Sequence, residues 1–237
     1  LLVLHKGMAD GRWQFIADRV RTADSTITVG TRICVVASEL LKAKSVSLAL
    51  VIDGSYRPIA TTDDLGTLLD EEQFALGDGP TFKARNSLAP IILEDVHAHR
   101  AAVRWPVFTK LAENHGVHGA FAFPLRIGDA FLGVLTAYRA RAGEPSAEQY
   151  ADGLILASLA TAELVRQEAG VGTESGSGIF EPGLYDQSAL QVAAGMVAES
   201  LNISIVAALV RIRARAFADD HPVSKTALQI VERKLVL

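Results

Sequence analysis

The feature that most constrains this chain is the stretch 170–178, where Gly170, Gly172, Gly176 and Gly178 are interleaved with Ser175 and Ser177. Glycine has no side chain to restrict its backbone and serine competes for backbone hydrogen bonds, so the run cannot continue a helix or strand and reads as a flexible linker. It follows a long helical pattern and precedes Pro182 and Gly183. The chain is therefore expected to fold as two units, 10–168 and 185–237, joined by a linker over 169–184. A length of 237 residues suits one medium and one small domain, and 49% hydrophobic against 21% charged residues leaves apolar material for both cores.

In the first unit, apolar residues recur at helical spacing over 11–22 (Trp13, Ile16, Ala17, Val20) and over 26–42 (Ile27, Val29, Ile33, Val36, Leu40, Leu41), predicting two opening helices. A β-rich run over 45–52 then meets Asp53 and Gly54, a pair that tolerates positive φ and suits a hairpin, with 56–61 returning antiparallel. Runs over 90–93, 120–125 and 130–138 repeat the strand pattern, the last two joined by a hairpin-sized connection at 127–129. The expected architecture is α+β, an antiparallel sheet flanked by helices. Ser146 and Gln149 form a capping box, in which the hydroxyl accepts from a free first-turn amide while Gln149 reaches back, so a helix is predicted from there to about Glu168.

The second unit shows three helical periods: Leu190, Ala193, Ala194, Val197 and Leu201; then Ile205, Ala208, Leu209, Ile212 and Ala216 behind a Ser204 cap; then Val223, Ala227, Ile230, Val231 and Leu235. A small all-α three-helix bundle follows.

Two ordered sets of short motifs resemble known families. Residues 72–80 (Glu72, Gln73, Phe74, Ala75, Leu76, Gly77, Asp78, Gly79, Pro80), Glu94 and Asp95, Arg104 to Pro106, the run 119–126 and Gly133 resemble the GAF domains of actinobacterial regulators. In their usual form the turn reads glycine, proline, cysteine; here Thr81 stands in the cysteine's place. From Tyr185 onward, Ala193 to Met196, Leu201 to Ser204, Ala207 to Leu209 and Arg211 to Phe217 resemble an ANTAR domain. The resemblance implies a GAF sensor of an unknown small ligand followed by a three-helix module, usually dimeric, that binds paired hairpins in nascent RNA and prevents premature transcription termination.

Under that resemblance Arg211, Arg213, Arg215 and Lys225 are expected to contact the RNA backbone, with Ala194 and Gly195 lining its close approach. Many ANTAR members carry a basic residue directly before the helix glycine, where this chain has Ala194. Gly195 lies in a helical pattern at a cost of about 1 kcal/mol against alanine; close helix packing and close approach of RNA both account for it. Arg211 and Arg215 are one turn apart and share a face, whereas Arg213 points the other way. From Tyr185 onward six basic residues stand against five acidic ones. Charge alone therefore favours a solvated helix face or a protein-interaction module over RNA, since nucleic-acid affinity rests largely on phosphate neutralisation; the resemblance reverses that order. In the first unit Trp105, Phe121 and Phe123 either wall a ligand pocket or fill a closed core.

Other chemistry finds little support. The formal net charge of −4 argues against generic nucleic-acid coating, so any RNA contact is local. The single cysteine, Cys34, permits no intramolecular disulfide or thiolate cluster and sits among Ile33 and Val36 as core filling; a reducing cytoplasm fits. His97 and His99 beside Glu94 and Asp95 read as a solvated loop rather than a metal site. Neither a serine–histidine–acid arrangement nor a nucleotide-cradling glycine loop is recognisable, so no enzymatic activity, metal or cofactor is expected. Residues 1–9 lack the apolar core of a signal peptide, and the sequence offers no apolar run of spanning length, so no membrane partner is expected.

Overall fold

The computed structural model describes residues 2–52, 55–168, 188–219, 221, 223–235 and 237. The 169–184 segment and the Asp53–Gly54 turn lie outside the described residues.

The chain opens with α1 (Leu2–Thr22) and α2 (Val29–Leu40). The second helix starts later than its apolar period because the Thr28 hydroxyl caps it, accepting from the Thr31 amide at 3.1 Å. Strands β1 (Ser45–Ile52) and β2 (Ser55–Thr61) form the expected antiparallel pair. There follow α3 (Asp64–Leu76), α4 (Pro80–Ser87), β3 (Ile91–Leu93), α5 (His99–Arg104) and α6 (Pro106–Asn114), then β4 (Gly119–Ile127) and β5 (Ala130–Arg139). All pairings are antiparallel, and the five strands lie in the order β2-β1-β5-β4-β3. Helix α7 (Ala147–Glu168) opens with the predicted capping box: Ser146 Oγ accepts from the Gln149 amide at 3.1 Å and Gln149 Oε1 from the Ser146 amide at 3.0 Å.

Strand alternation sorts the sheet's side chains into two unlike layers. On one face Val46, Leu48 and Leu50 of β1, Phe121, Phe123 and Leu125 of β4 and Leu135 and Ala137 of β5 meet Ile16, Ile33, Val36, Leu156 and Ala160 from α1, α2 and α7. This layer is almost wholly apolar, and Cys34 lies in it, fully buried, with its Sγ 3.6 Å from the Ala60 carbonyl oxygen. The opposite face is covered by α3, α4, α5 and α6, with Leu69, Trp105, Phe108, Ala120 and Tyr138 in its core. That face is partly polar, and its helices were the elements the periodicity did not separate.

Helices α8 (Ser188–Leu201), α9 (Ile205–Ala218) and α10 (Val223–Val231) form the three-helix unit. Ser204 caps α9, accepting from the Ala207 amide at 3.2 Å. Ala193, Ala194, Val197, Ala208, Ile212, Ala216, Ala227 and Ile230 make its core, and Ala75 of α3 joins the same cluster. Glu72 Oε1 accepts from the Val223 amide at 2.6 Å, so the bundle is seated on α3.

Gly153 fixes how closely α7 approaches the sheet: a Cβ there would run into the ring of fully buried Phe123. Alanine in a helix gains about 1 kcal/mol over glycine, whereas overpacking a closed core costs about 1–3 kcal/mol. The clash wins. Gly153→Ala is expected to lower stability by about 1 kcal/mol and Tm by about 2–4 °C; an unchanged or raised melting temperature would show that α7 can move off the sheet freely.

Candidate functional site

The described structure gathers polar chemistry in the layer beneath α3 and α4. Asp70 of α3 is fully buried and aimed at the sheet. Its Oδ2 accepts from Ser47 Oγ of β1 at 2.5 Å and from Tyr56 OH of β2 at 2.9 Å. Its Oδ1 accepts from Tyr138 OH of β5 and, at 3.1 Å, from Thr81 Oγ1 of α4. Gln73, one turn along α3, donates through Nε2 to Tyr138 OH at 2.7 Å and accepts through Oε1 from the Thr81 amide at 2.8 Å. Thr136 Oγ1 lies 3.2 Å from Thr81 Oγ1, which closes the network.

Local sequence explains how these groups meet. Ser45 and Ser47, like Thr136 and Tyr138, occupy alternate strand positions and so share the face opposite the apolar layer. Gly77 ends α3 in a left-handed conformation, and Gly79 follows at φ 115, where a Cβ would also strike the Gln73 side chain. Pro80 then starts α4, its fixed φ suiting the first helical position. The turn folds Thr81 back over Gln73 and Asp70.

Each hydrogen bond to a charged group contributes roughly 1.5–3 kcal/mol, while burying a lone carboxylate costs several. In this network burial wins: it raises the Asp70 pKa from 3.8 to about 6 despite the opposing hydrogen bonds from Ser47, Tyr138, Tyr56 and Thr81. Burial, reinforced by the Asp70 charge, pushes the Tyr56 and Tyr138 phenols well above their ordinary value. The network is thus a set of hydroxyls arranged around a carboxyl whose pKa is raised to about 6.

The predicted pocket residues do not come together. Phe121 and Phe123 belong to the apolar layer under α1, α2 and α7, whereas Trp105 packs on the other face with Leu93, Phe108 and Tyr138. Strand alternation turns the odd-numbered residues of β4 away from Trp105, so the three cannot wall one cavity. They are core residues, with Trp105 5% exposed and both phenylalanines fully buried.

The predicted RNA-contact residues separate as well. Ala194 is buried in the bundle core, so it lines no outward surface; its small size serves helix packing. Gly195 is exposed, and a Cβ there would meet nothing within 4 Å, so packing within the bundle does not require it. Arg211 and Arg215 are exposed on α9, where Arg215 Nε donates to Asp219 at 2.6 Å. Arg213 is half-buried, burial lowers its pKa, and its Nε finds no hydrogen-bond partner among the described residues. Lys225 is exposed on α10, with Nζ 3.4 Å from His221 Nε2.

Around the candidate loop histidines, His97 Nδ1 lies 3.0 Å from Glu113 Oε1 and Nε2 lies 2.8 Å from His118 Nδ1, while His99 begins α5. No group of three or more metal-ligating side chains able to hold an ion occurs among the described residues. Nor, among them, is any helix long and apolar enough to cross a membrane.

The two-faced antiparallel sheet with its flanking helices is the GAF-domain fold. It is similar to the GAF domain of a phosphoenolpyruvate-protein phosphotransferase from Coxiella burnetii, with 24% identity, a TM-score of 0.51, and coverage of 68% of this chain and 95% of that one. The GAF domain of an Acinetobacter phosphoenolpyruvate-protein phosphotransferase aligns over 70% of this chain and 98% of its own, at 13% identity and a TM-score of 0.48. No protein-family model and no curated protein sequence matches the chain.

The folded Asp70 pKa lies above the unfolded value of 3.8, so the folded chain holds an extra proton between about pH 4 and 6. That contribution, on the order of 3 kcal/mol, is complete below about pH 4 and is lost as pH rises through 6. Asp70→Asn is expected to remove this decline, measured as denaturation free energy against pH. Identical slopes in the two proteins would show that Asp70 does not titrate there.

Proposed function

We propose that this chain is a signal-responsive regulator of transcription. Its GAF-fold domain receives a small-molecule signal, and its three-helix unit, an ANTAR-type module, binds paired hairpins in nascent RNA and prevents premature termination. The sheet layer around Asp70 supports the sensing half, because it concentrates hydrogen-bonding groups that a polar ligand can exchange for its own.

The observation that carries the RNA reading is the outward face of α9. Ala208, Ile212 and Ala216 face the bundle, which leaves Val210, Ala214 and Phe217 on the opposite side, with Phe217 74% exposed. Arg211 and Arg215 flank this stripe on one side and Arg213 on the other. An aromatic ring between cations suits a nucleobase with its phosphates, and base–aromatic stacking contributes about 1–3 kcal/mol per base. The exposed Arg215–Asp219 pair contributes only about 0–1 kcal/mol, so Arg215 can exchange Asp219 for a phosphate. Gly195 adds exposed backbone on α8.

The same apolar stripe, with Ile205 and Leu228 also exposed, favours a second reading in which the unit docks on a protein partner. Homodimerisation belongs to the main proposal: Tyr150, Leu154 and Val165 lie along one exposed stripe of α7, a surface for a second copy. Leu154→Glu is expected to halve the mass found by light scattering; an unchanged mass would remove α7 from the interface.

The purified chain is expected to bind a labelled pair of hexaloop hairpins with strong salt dependence. Replacing Arg211, Arg213 and Arg215 by alanine should abolish binding and flatten the salt slope, and Phe217→Ala should weaken binding about tenfold with little change in melting temperature. Absence of salt-sensitive binding would favour the protein-partner reading.

A further inference from the structure

We infer that α3 couples the two units, with Glu72 of the GAF-fold domain acting as the N-terminal cap of α10 and holding the three-helix unit in a docked state. The first amides of a helix have no partner inside it, and an acceptor must come from elsewhere. Position 222 is proline, whose side chain offers no acceptor. The Glu72 carboxylate supplies one from 151 residues away in sequence, through its bond from the Val223 amide. A negative charge at that end also complements the helix dipole. Glu72 is itself buried, so it cannot easily exchange Val223 for water, and Ala75 one turn on packs into the bundle core beside it. At nine residues α10 is too short to persist on helix propensity alone; Val223, Ala227 and Ile230 pack it into the bundle, and Glu72 supplies the acceptor for its first amide.

The opposite side of the same helix carries Leu69, Asp70 and Gln73. On a helix Glu72 and Ala75 point roughly away from Asp70 and Gln73, so α3 lies as a single wall between the buried hydroxyl network and the output unit. A ligand or protonation event that rearranges the bonds of Asp70 turns or shifts α3 and changes its grip on α10; undocking alters the network by the same coupling, since linkage is reciprocal. The inference deepens the sensor-and-output reading and rests on it. Its test contains no RNA, so failure to bind hairpins and failure of the coupling are separate results.

Amide hydrogen exchange on the full chain reads the contact directly. In Glu72→Ala, amides of the first turn of α10 are expected to exchange at least about tenfold faster than in the unsubstituted chain while β5 keeps its protection. Glu72→Gln, which keeps an acceptor oxygen, is expected to stay within about threefold. Asp70→Asn, altered only on the sheet side, is expected to speed exchange at α10 by about threefold or more. Unchanged α10 exchange in Glu72→Ala would overturn the cap, and unchanged exchange in Asp70→Asn would overturn the coupling. Should Glu72→Ala also expose β5, Ala75→Glu decides: faster α10 exchange with β5 protected supports docking, and unchanged exchange overturns it.

Discussion

A carboxylate in a dry interior has to be surrounded by donors, and in this protein that requirement organises one whole layer. Asp70 draws its hydrogen bonds from β1, β2, β5 and α4, so the positions of α3 and α4 over the sheet are set by polar geometry together with the apolar packing of Leu69 and Ala84. The layer under α1, α2 and α7 is built the opposite way, from aliphatic and aromatic side chains with few directional demands. Close packing tolerates small displacements poorly, and a fully satisfied buried hydrogen-bond network is likewise directional and specific. The two faces of the sheet therefore differ in kind: one is held by apolar packing alone, the other by apolar packing and directional hydrogen bonds.

The three-helix unit divides along similar lines. Its buried seam is rich in alanine, with Ala193, Ala194, Ala208, Ala216 and Ala227 allowing close helix approach, while α9 keeps its arginines and Phe217 on or near the surface. Its exposed cations are spread over the unit, with Arg211 and Arg215 on α9, Lys225 on α10, and Arg233 and Lys234 beyond it.

Much of the fold was legible in the sequence. The antiparallel strands, the capping box at Ser146, the Ser204 cap and the three C-terminal helices all follow from period and cap chemistry, because those signals are local. Helices α3 to α6 were not separated, since they are short or polar where they face the sheet: Asp70, Gln73 and Thr81 break the apolar stripe that marks a buried helix. The candidate site was hidden for the same reason. Its trace was the alternation of Ser45 and Ser47 on β1 and of Thr136 and Tyr138 on β5, a polar stripe within otherwise apolar strands. Trp105, Phe121 and Phe123 misled because large aromatics are as suited to a core as to a cavity, and only strand parity tells on which face each lies. Ala194 belonged both to the helical core period and to the family motif, and burial decided for the former.

The Glu72–Val223 contact also bears on the order in which the molecule is made. Domains fold as units as they leave the ribosome, the N-terminal one first. Helix α3 and its sheet can assemble long before residue 223 is synthesised, and the nascent domain then displays an uncapped acceptor at Glu72 and an uncovered Ala75. That surface exists before the three-helix unit that covers it has been made.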